Sequence, residues 1–119
     1  MDNFTLVRTE HLNHHGYLFG GELLKWVDEH AWMAATREHP DCTFVTISMD
    51  ACHFKSPVKN GAILRFHIQR AEQGKTSVCY LVNIFADEPG STSEKEVFST
   101  KVTFVRLDDQ GKVCALPKE

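Results

Sequence analysis

The sequence predicts a two-layer α+β domain in which an antiparallel sheet curls around one long helix. Three observations carry this expectation. Leu23, Leu24, Val27, Ala31, Ala34 and Ala35 recur at helical spacing behind Gly20-Gly21. After residue 42 the apolar period changes to two. The later strand-like runs are joined by short turns, and short turns link antiparallel neighbours because parallel pairs need long crossovers. One apolar helix and one antiparallel sheet can then bury each other's faces.

Asn3 to Arg8 is short and alternating and is expected to open the chain as a strand. His11 to Tyr17 is polar, contains Gly16 and reads as a loop. The helix comes next, from Gly20 to about Arg37. Trp26, Trp32 and Met33 broaden its apolar surface beyond one stripe, and such a helix is expected to be wrapped by other structure. His39-Pro40-Asp41 ends it, since the residue before proline avoids the helical region. Thr43 to Phe54 alternates, with Val45, Ile47, Met49 and Ala51 on one face. Pro57, Asn60 and Gly61 mark a turn before Ala62 to Ala71, where Ala62, Leu64, Phe66 and Ile68 share a face. Gln73-Gly74-Lys75 is a turn between strand-like runs. Thr76 to Ala86 places Val78, Tyr80, Val82 and Ile84 together, and Glu88 to Glu94 is a loop. Val97 to Leu107 is the last long strand, with Phe98, Val102 and Phe104 on one face, before a turn at Asp108 to Gly111 and a short tail.

The 119 residues fit one domain spanning 1–119. A chain of this size buries about two-thirds of its unfolded surface, enough to fold without staples. The formal net charge of −3 argues against broad binding to nucleic acid or an anionic membrane. No run approaches the ~20 apolar residues of a membrane span. Met1-Asp2-Asn3-Phe4 lacks the basic-then-apolar layout of a secretory signal, so a cytoplasmic location is expected. Cys42, Cys52, Cys79 and Cys114 show no C-x-x-C spacing. They are expected to be free thiols, Cys52 and Cys79 acting as small hydrophobes in strands. Seven histidines include the cluster His11, His14 and His15, but there is no H-E-x-x-H and no cysteine at zinc-site spacing, so no metal is expected.

The chemistry concentrates between residues 13 and 28. The first turn of a helix has amides without internal partners, and the helix dipole favours negative charge beside them. Glycine lets a ligand approach the backbone closely. A helix opened by Gly20-Gly21 can therefore hold a carbonyl oxygen that becomes an oxyanion, an interaction worth on the order of 3 kcal/mol per donor. Tight packing of a turn against the sheet would explain the same glycines. Asp28 stands mid-helix among Leu24, Val27, Ala31 and Trp32, where Asp is a poor helix former and rarely buried alone. It is either a general base or nucleophile, or a solvent-facing residue beside Lys25 and Glu29. From Gly20 to Asp28 the helix rises about 12 Å. Both cannot address one carbonyl from a single helix, but two helices antiparallel about a two-fold axis would bring them together. Asn13 can orient a water or donate to a carbonyl oxygen; a turn-forming Asn is the commoner role.

Asn13-x-x-Gly16-x-x-Phe19-Gly20-Gly21 with Asp28 beyond it resembles the acyl-CoA hydrolase group of hot-dog thioesterases. The likeness continues through Val45-x-Ile47, Phe54-x-x-Pro57-Val58, Asn60-Gly61, Gly74-Lys75-Thr76-Ser77-Val78 and Gly111-Lys112-Val113-x-Ala115-Leu116-Pro117, and so spans nearly the whole chain. The resemblance implies a hot-dog fold, with a curved antiparallel sheet around a central helix. It implies homodimers joined sheet edge to sheet edge, in many members a trimer of dimers. One domain in this chain then means that a homodimer supplies both halves of the site. Hydrolysis of acyl-CoA is implied, with no cofactor beyond the CoA of the substrate. Asn13 and Asp28 would be the catalytic pair, from different subunits, and Gly20 or Gly21 the amide donor. Gly74, Lys75, Thr76 and Ser77 would lie against CoA, and near them Lys55, Lys59, Arg65 and Lys75 are candidates for its phosphates. An apolar channel between subunits, lined in part by Trp26, Trp32 and Phe54, would take the acyl chain. His14 and His15 occupy positions where relatives differ, and Phe19 stands where some carry His.

Two other functions fit the same outline. A hot-dog acyl-thioester dehydratase or hydratase would use a histidine, for which His30 is the candidate beside Asp28. A binding module would hold acyl-CoA without turnover. Loss of thioester cleavage on His30→Ala, with Asp28→Ala tolerated, would favour the first, and tight CoA binding without thiol release the second.

Overall fold

The structure, a computed structural model, describes residues 1–118. Strand β1 (Asp2–Leu6) leads through a 3-10 turn (Thr9–His11) and a loop to helix α1 (Gly20–Glu38). Strands β2 (Thr43–Phe54), β3 (Ile63–Gln73), β4 (Ser77–Asp87) and β5 (Lys95–Leu107) complete the order. All pairings are antiparallel and the sheet order is β1-β3-β4-β5-β2. Helix α1 packs on β2, β3, β4 and β5, the α+β arrangement expected, with the hot-dog outline of a helix held by the sheet.

The core forms where the two periodicities meet. Leu64, Phe66 and Ile68 of β3, Val78, Tyr80, Val82 and Ile84 of β4, and Phe98, Val102 and Phe104 of β5 are buried on the inner face. Against them α1 sets Leu23, Trp26, Val27, Ala31, Ala34 and Ala35. The three alanines lie toward the helix C-terminus, where Phe44, Tyr80 and Phe104 supply the bulk in edge-to-face contacts. At about 25 cal/mol per Å² of apolar surface, this one face is the main driving force of the fold. Past β5 the chain turns at Asp108–Gly111. Leu116 is buried there, and its amide bonds to the Lys75 carbonyl at 2.8 Å, so the tail lies on the β3–β4 turn. Among the described residues no helix is long and apolar enough to cross a membrane.

Strand β2 departs from the expected alternation. Its register against β5 shifts between Thr46 and Ser48 and again between Asp50 and His53. Each shift inserts an unmatched residue and exchanges the faces of the residues beyond it. Phe44 and Thr46, opposite Arg106 and Phe104, therefore lie on one face, and Met49 joins them opposite Val102. Val45 and Ile47, expected on a shared apolar face with Met49 and Ala51, are 38% and 56% exposed. Helix α1 is likewise not wrapped all round within one chain, since Trp32 is 43% exposed and Met33 is exposed beside it. Cys79 and Cys42 are buried free thiols, Cys114 is half-buried, and Cys52 is exposed rather than a core residue because it sits in the second bulge.

Ala51, in that second bulge, has φ +57°, a left-handed conformation that costs a Cβ-bearing residue about 1–2 kcal/mol. Ala51→Gly is expected to raise the urea midpoint. Ala86→Gly, in a regular buried strand, is expected to lower it, since glycine there costs roughly 0.5–1 kcal/mol. Equal losses in the two variants would show that the bulge carries no strain.

Candidate active site

The loop before α1 is built on Asn13. Its Oδ1 accepts the amides of His15 at 2.9 Å and Tyr17 at 3.2 Å. Its backbone pairs with Tyr17, and Gly16 closes the turn at φ +85°. Only the side-chain NH2 of Asn13 remains, and it has no partner among the described residues. The carbonyl end of the carboxamide thus builds the turn, and the NH2 end is left to donate elsewhere. Leu18 donates to the Val58 carbonyl at 2.8 Å and anchors the loop to the β2–β3 connection.

Helix α1 begins without a cap. Phe19 precedes it with an extended backbone and offers no side-chain acceptor. Leu23 makes the first helical bond, to the Phe19 carbonyl at 3.1 Å. The amides of Gly20, Gly21 and Glu22 have no partner among the described residues, an arrangement that favours an anionic oxygen. The two glycines differ. Gly20 lines a cleft of about 620 Å³ together with Asn13, His15, Phe54, Lys55 and Pro57. A Cβ on Gly21 would come within 3.1 Å of the Phe19 ring. That ring is 57% exposed and can turn aside, so both glycines keep open amides, and Gly20 is the one that lines the cleft.

Asp28 is half-buried and elsewhere. It lines a separate depression of about 340 Å³ with Glu29, Trp32, Met33 and Thr46. Thr46 Oγ1 donates to Asp28 Oδ1 at 2.6 Å, fixing one carboxylate oxygen and leaving the other for a water or carbonyl carbon. Thr46 was not singled out in the sequence. The signal available was its two-residue spacing from Phe44, which places both on one face of β2 until the Ile47 bulge. Asn13 and Gly20 meet in one hollow and Asp28 in another, so a single chain does not bring the expected catalytic group together.

The CoA candidates divide in the same way. Gly20 lies beside Phe54, at the sheet end where Ile63 pairs with Asp87. Lys55 and Lys59 are at that end. Gly74, Lys75, Thr76 and Ser77 lie at the other, where Ser77 pairs with Val105, on the order of 30 Å away along β4. The nearness expected between the turn and Lys55, Lys59 and Arg65 is therefore absent within one chain, because β4 runs its full length between them. Lys75 and Gly74 instead line a hollow with Leu116 and Pro117. Lys55 lines the Gly20 cleft and pairs with Glu96, which also accepts from Asn83 at 2.7 Å. The hydrogen bonds from Lys55 and Asn83 hold the Glu96 carboxyl below its ordinary range. Arg65 is engaged by Glu94 at 2.5 Å and Asp2 at 3.7 Å and lies over Phe85, so its charge is already matched within the fold. Of the aromatic residues expected in an acyl channel, Phe54 and Trp32 line the two hollows. Trp26 is core, buried with its ring against His11 at 4.8 Å.

His30 does not face either hollow. Asn3 Nδ2 donates to its Nδ1 at 3.0 Å and its ring lies 4.4 Å from Phe66. Residues i and i+2 of a helix point to different faces, which separates it from Asp28. Burial lowers its pKa from the ordinary 6.5, against a smaller upward pull from Glu29. Among the described residues no cluster of three or more His, Cys, Asp or Glu side chains is placed to hold a metal.

A helix cupped by a five-stranded antiparallel sheet, with free glycine amides at its start and a carboxylate two turns on, is the outline of a hot-dog thioesterase. Residues 15–93 match the family model described as Thioesterase superfamily, and the chain belongs to that superfamily. It is 33% identical over 109 residues to a Bacillus subtilis protein named uncharacterized acyl-CoA thioester hydrolase YkhA, covering 89% of this chain and 61% of that one. The chain spans less than two thirds of the length of the first curated relatives it matches. Among solved structures, acyl-CoA hydrolase from Staphylococcus aureus, in complex with butyryl coenzyme A, coenzyme A and coenzyme A disulfide, superposes with a TM-score of 0.88. It is 32% identical, covering 98% of this chain and 71% of that one. That hydrolase has also been solved with an asparagine, an aspartate or a threonine replaced by alanine. Cj0915, a hexameric hot-dog thioesterase of Campylobacter jejuni, gives a TM-score of 0.86 at 32% identity, covering 97% and 88%.

The direction of the His30 shift sets a pH dependence. Below about pH 6.5 the unfolded imidazole takes up a proton that the buried, neutral one resists. Stability therefore falls as pH drops through that value. His30→Gln is expected to flatten the fall in urea midpoint between about pH 7 and pH 5. The paired carboxylates Asp2, Glu94 and Glu96 are also depressed, but their contribution is lost only at lower pH, near and below ordinary carboxylate values. An unchanged slope in His30→Gln would assign the acid sensitivity to other groups.

Proposed function

We propose that this protein is an acyl-CoA thioesterase whose active site is shared between two copies of the chain. The observation that carries this is the division of one helix into two half-sites. Its free amides at Gly20 stand beside the Asn13 NH2, and its carboxylate at Asp28 lies about 12 Å further on. Two helices antiparallel about a two-fold axis place the Gly20 end of one beside Asp28 of the other. The exposed apolar edge formed by Val45 and Ile47 supports such a partner, since a soluble domain rarely leaves an apolar edge strand bare. Edge-to-edge pairing through β2 would cover it. The hexameric relative supports a trimer of such dimers.

The reaction converts acyl-CoA and water to a carboxylic acid and CoA. The thioester oxygen sits at the Gly20 amide, where the helix end stabilises the charge that develops on it. Asp28 either takes a proton from the attacking water or attacks the carbonyl carbon itself, forming an anhydride that water then opens. Collapse of the tetrahedral intermediate expels the CoA thiolate, whose proton comes from the water, through Asp28 in the first route and on opening of the anhydride in the second. Thr46 holds the carboxylate, and the Asn13 NH2 orients the carbonyl or the water. Asparagine, aspartate and threonine are also the residue types altered in the Staphylococcus aureus hydrolase, which supports these roles. The chain's own groups supply these steps without a cofactor. CoA bound at the Gly20 cleft would meet Lys55 and Lys59 of that chain, and would meet Gly74–Ser77 only from another subunit. The packing of His30 on Phe66 disfavours a dehydratase that uses it as a base.

Thiol release from acyl-CoAs tests the reading. Asp28→Ala is expected to lose at least about a hundredfold in kcat while remaining folded. Mixing Asn13→Ala with Asp28→Ala subunits is expected to restore activity, because a mixed dimer rebuilds one intact site. Failure of rescue despite demonstrated subunit exchange would falsify the shared site; wild-type activity in Asp28→Ala would remove the residue from the mechanism. Thr46→Ala is expected to lower kcat roughly tenfold, the loss of one hydrogen bond to a charged group of about 1.5 kcal/mol, with Thr46→Ser near wild type. Equal losses in both variants would mean that Thr46 serves packing rather than Asp28.

A further inference from the structure

Building on the thioesterase reading, we infer that Trp32 is the wall that limits the acyl chain, and that the site selects short acyl groups. Asp28 and Trp32 are one helical turn apart and line the same depression, with Met33 alongside. The indole is held in place: Nε1–H donates to the Phe44 carbonyl at 3.3 Å. It is also 43% exposed, whereas Trp26, the other tryptophan, is 9% exposed within its own core. An anchored ring that its own sheet leaves uncovered presents a fixed surface to whatever occupies the depression.

Charge decides which part of the substrate that is. The Gly20 cleft carries the positive helix end and the Asn13 amide, with Lys55 at its rim paired to Glu96, and is suited to the polar, anionic CoA arm. The depression carries the carboxylates of Asp28 and Glu29, which repel phosphates, and its remaining walls are largely the apolar Trp32 and Met33. With the Gly20 cleft of one subunit set against the Asp28 depression of its partner, the thioester carbon lies between them and the acyl tail runs from Asp28 toward Trp32. One turn of helix spans about 5.4 Å, the reach of an acyl tail of about four carbons. A longer tail meets the indole, whose bond to β2 resists its turning aside. Hydrophobic pockets discriminate by roughly 10- to 200-fold per methylene, so one such wall is sufficient to set the preference.

The test compares kcat/KM for saturated acyl-CoAs from butyryl to palmitoyl in the wild type, Trp32→Ala, Trp32→Phe and Met33→Ala, each checked for folding and dimer formation. The wild type is expected to favour the short substrates. Trp32→Ala is expected to raise the palmitoyl-to-butyryl ratio by at least about tenfold. Trp32→Phe keeps a ring but loses the anchor, and is expected to shift the ratio less. Met33→Ala opens the adjacent wall and is expected to shift it in the same direction, which keeps the test decisive should Trp32→Ala fail to fold. A wild type that already prefers palmitoyl-CoA, or a ratio unmoved in the folded variants, overturns the inference while leaving the thioesterase reading intact. Absence of thiol release from every acyl-CoA overturns that reading and this inference with it.

Discussion

The packing of α1 against the inner face of the sheet is the constraint on which the other features depend. Its alanines and Val27 let the helix lie close to β3, β4 and β5, and that burial supplies most of the energy that holds the domain together. Close packing along the helix also fixes its ends. The N-terminus lies against Phe54 and the β2–β3 connection, and the C-terminus against Phe44 and Tyr80, where Glu38 accepts the tyrosine hydroxyl. Once the helix is held at both ends, Gly20 and Asp28 have fixed positions and a fixed separation.

That separation shapes the chemistry. An oxyanion site needs free amides, which only the first turn of a helix offers, and a carboxylate held by a strand residue needs the helix to lie over β2. One helix meets both conditions, but at points too far apart to meet on one carbonyl. A symmetric partner removes the conflict without new residues, because it places the same two groups in the reverse order. The exposed apolar residues of β2 and α1 lie on the side where such a partner would sit.

The bulges of β2 serve the same end. A regular strand would carry Val45 and Ile47 on one face with Met49. Thr46 shares the inward face of Phe44 ahead of the bulge and reaches Asp28, and with Ile47 unmatched Met49 joins that face. The strained backbone at Ala51 marks a second adjustment near Phe54, which lines the Gly20 cleft. Bulges commonly re-aim side chains next to functional sites, and here the strand that supports the carboxylate is the irregular one.

Much of the fold was legible because it rests on local periodicity. The helix from Gly20, the alternating runs in β3, β4 and β5, and the turns at Gly61 and Gly74 each arise from residue types at fixed spacing. Asp28 stood out as a residue poorly explained by helix propensity, whereas the roles expected of Asn13 and Gly20 rested on the family resemblance. Tertiary structure decided what spacing cannot encode. It separated the Asn13–Gly20 cleft from the Asp28 depression, brought Thr46 to Asp28, sent His30 to Phe66, and put Gly74–Ser77 at the opposite end of the sheet from Lys55 and Lys59. Each of these depends on strand register or on which face of the helix meets the sheet. Register is set by contacts between residues distant in sequence, and a single bulge exchanges the faces of every later residue in its strand.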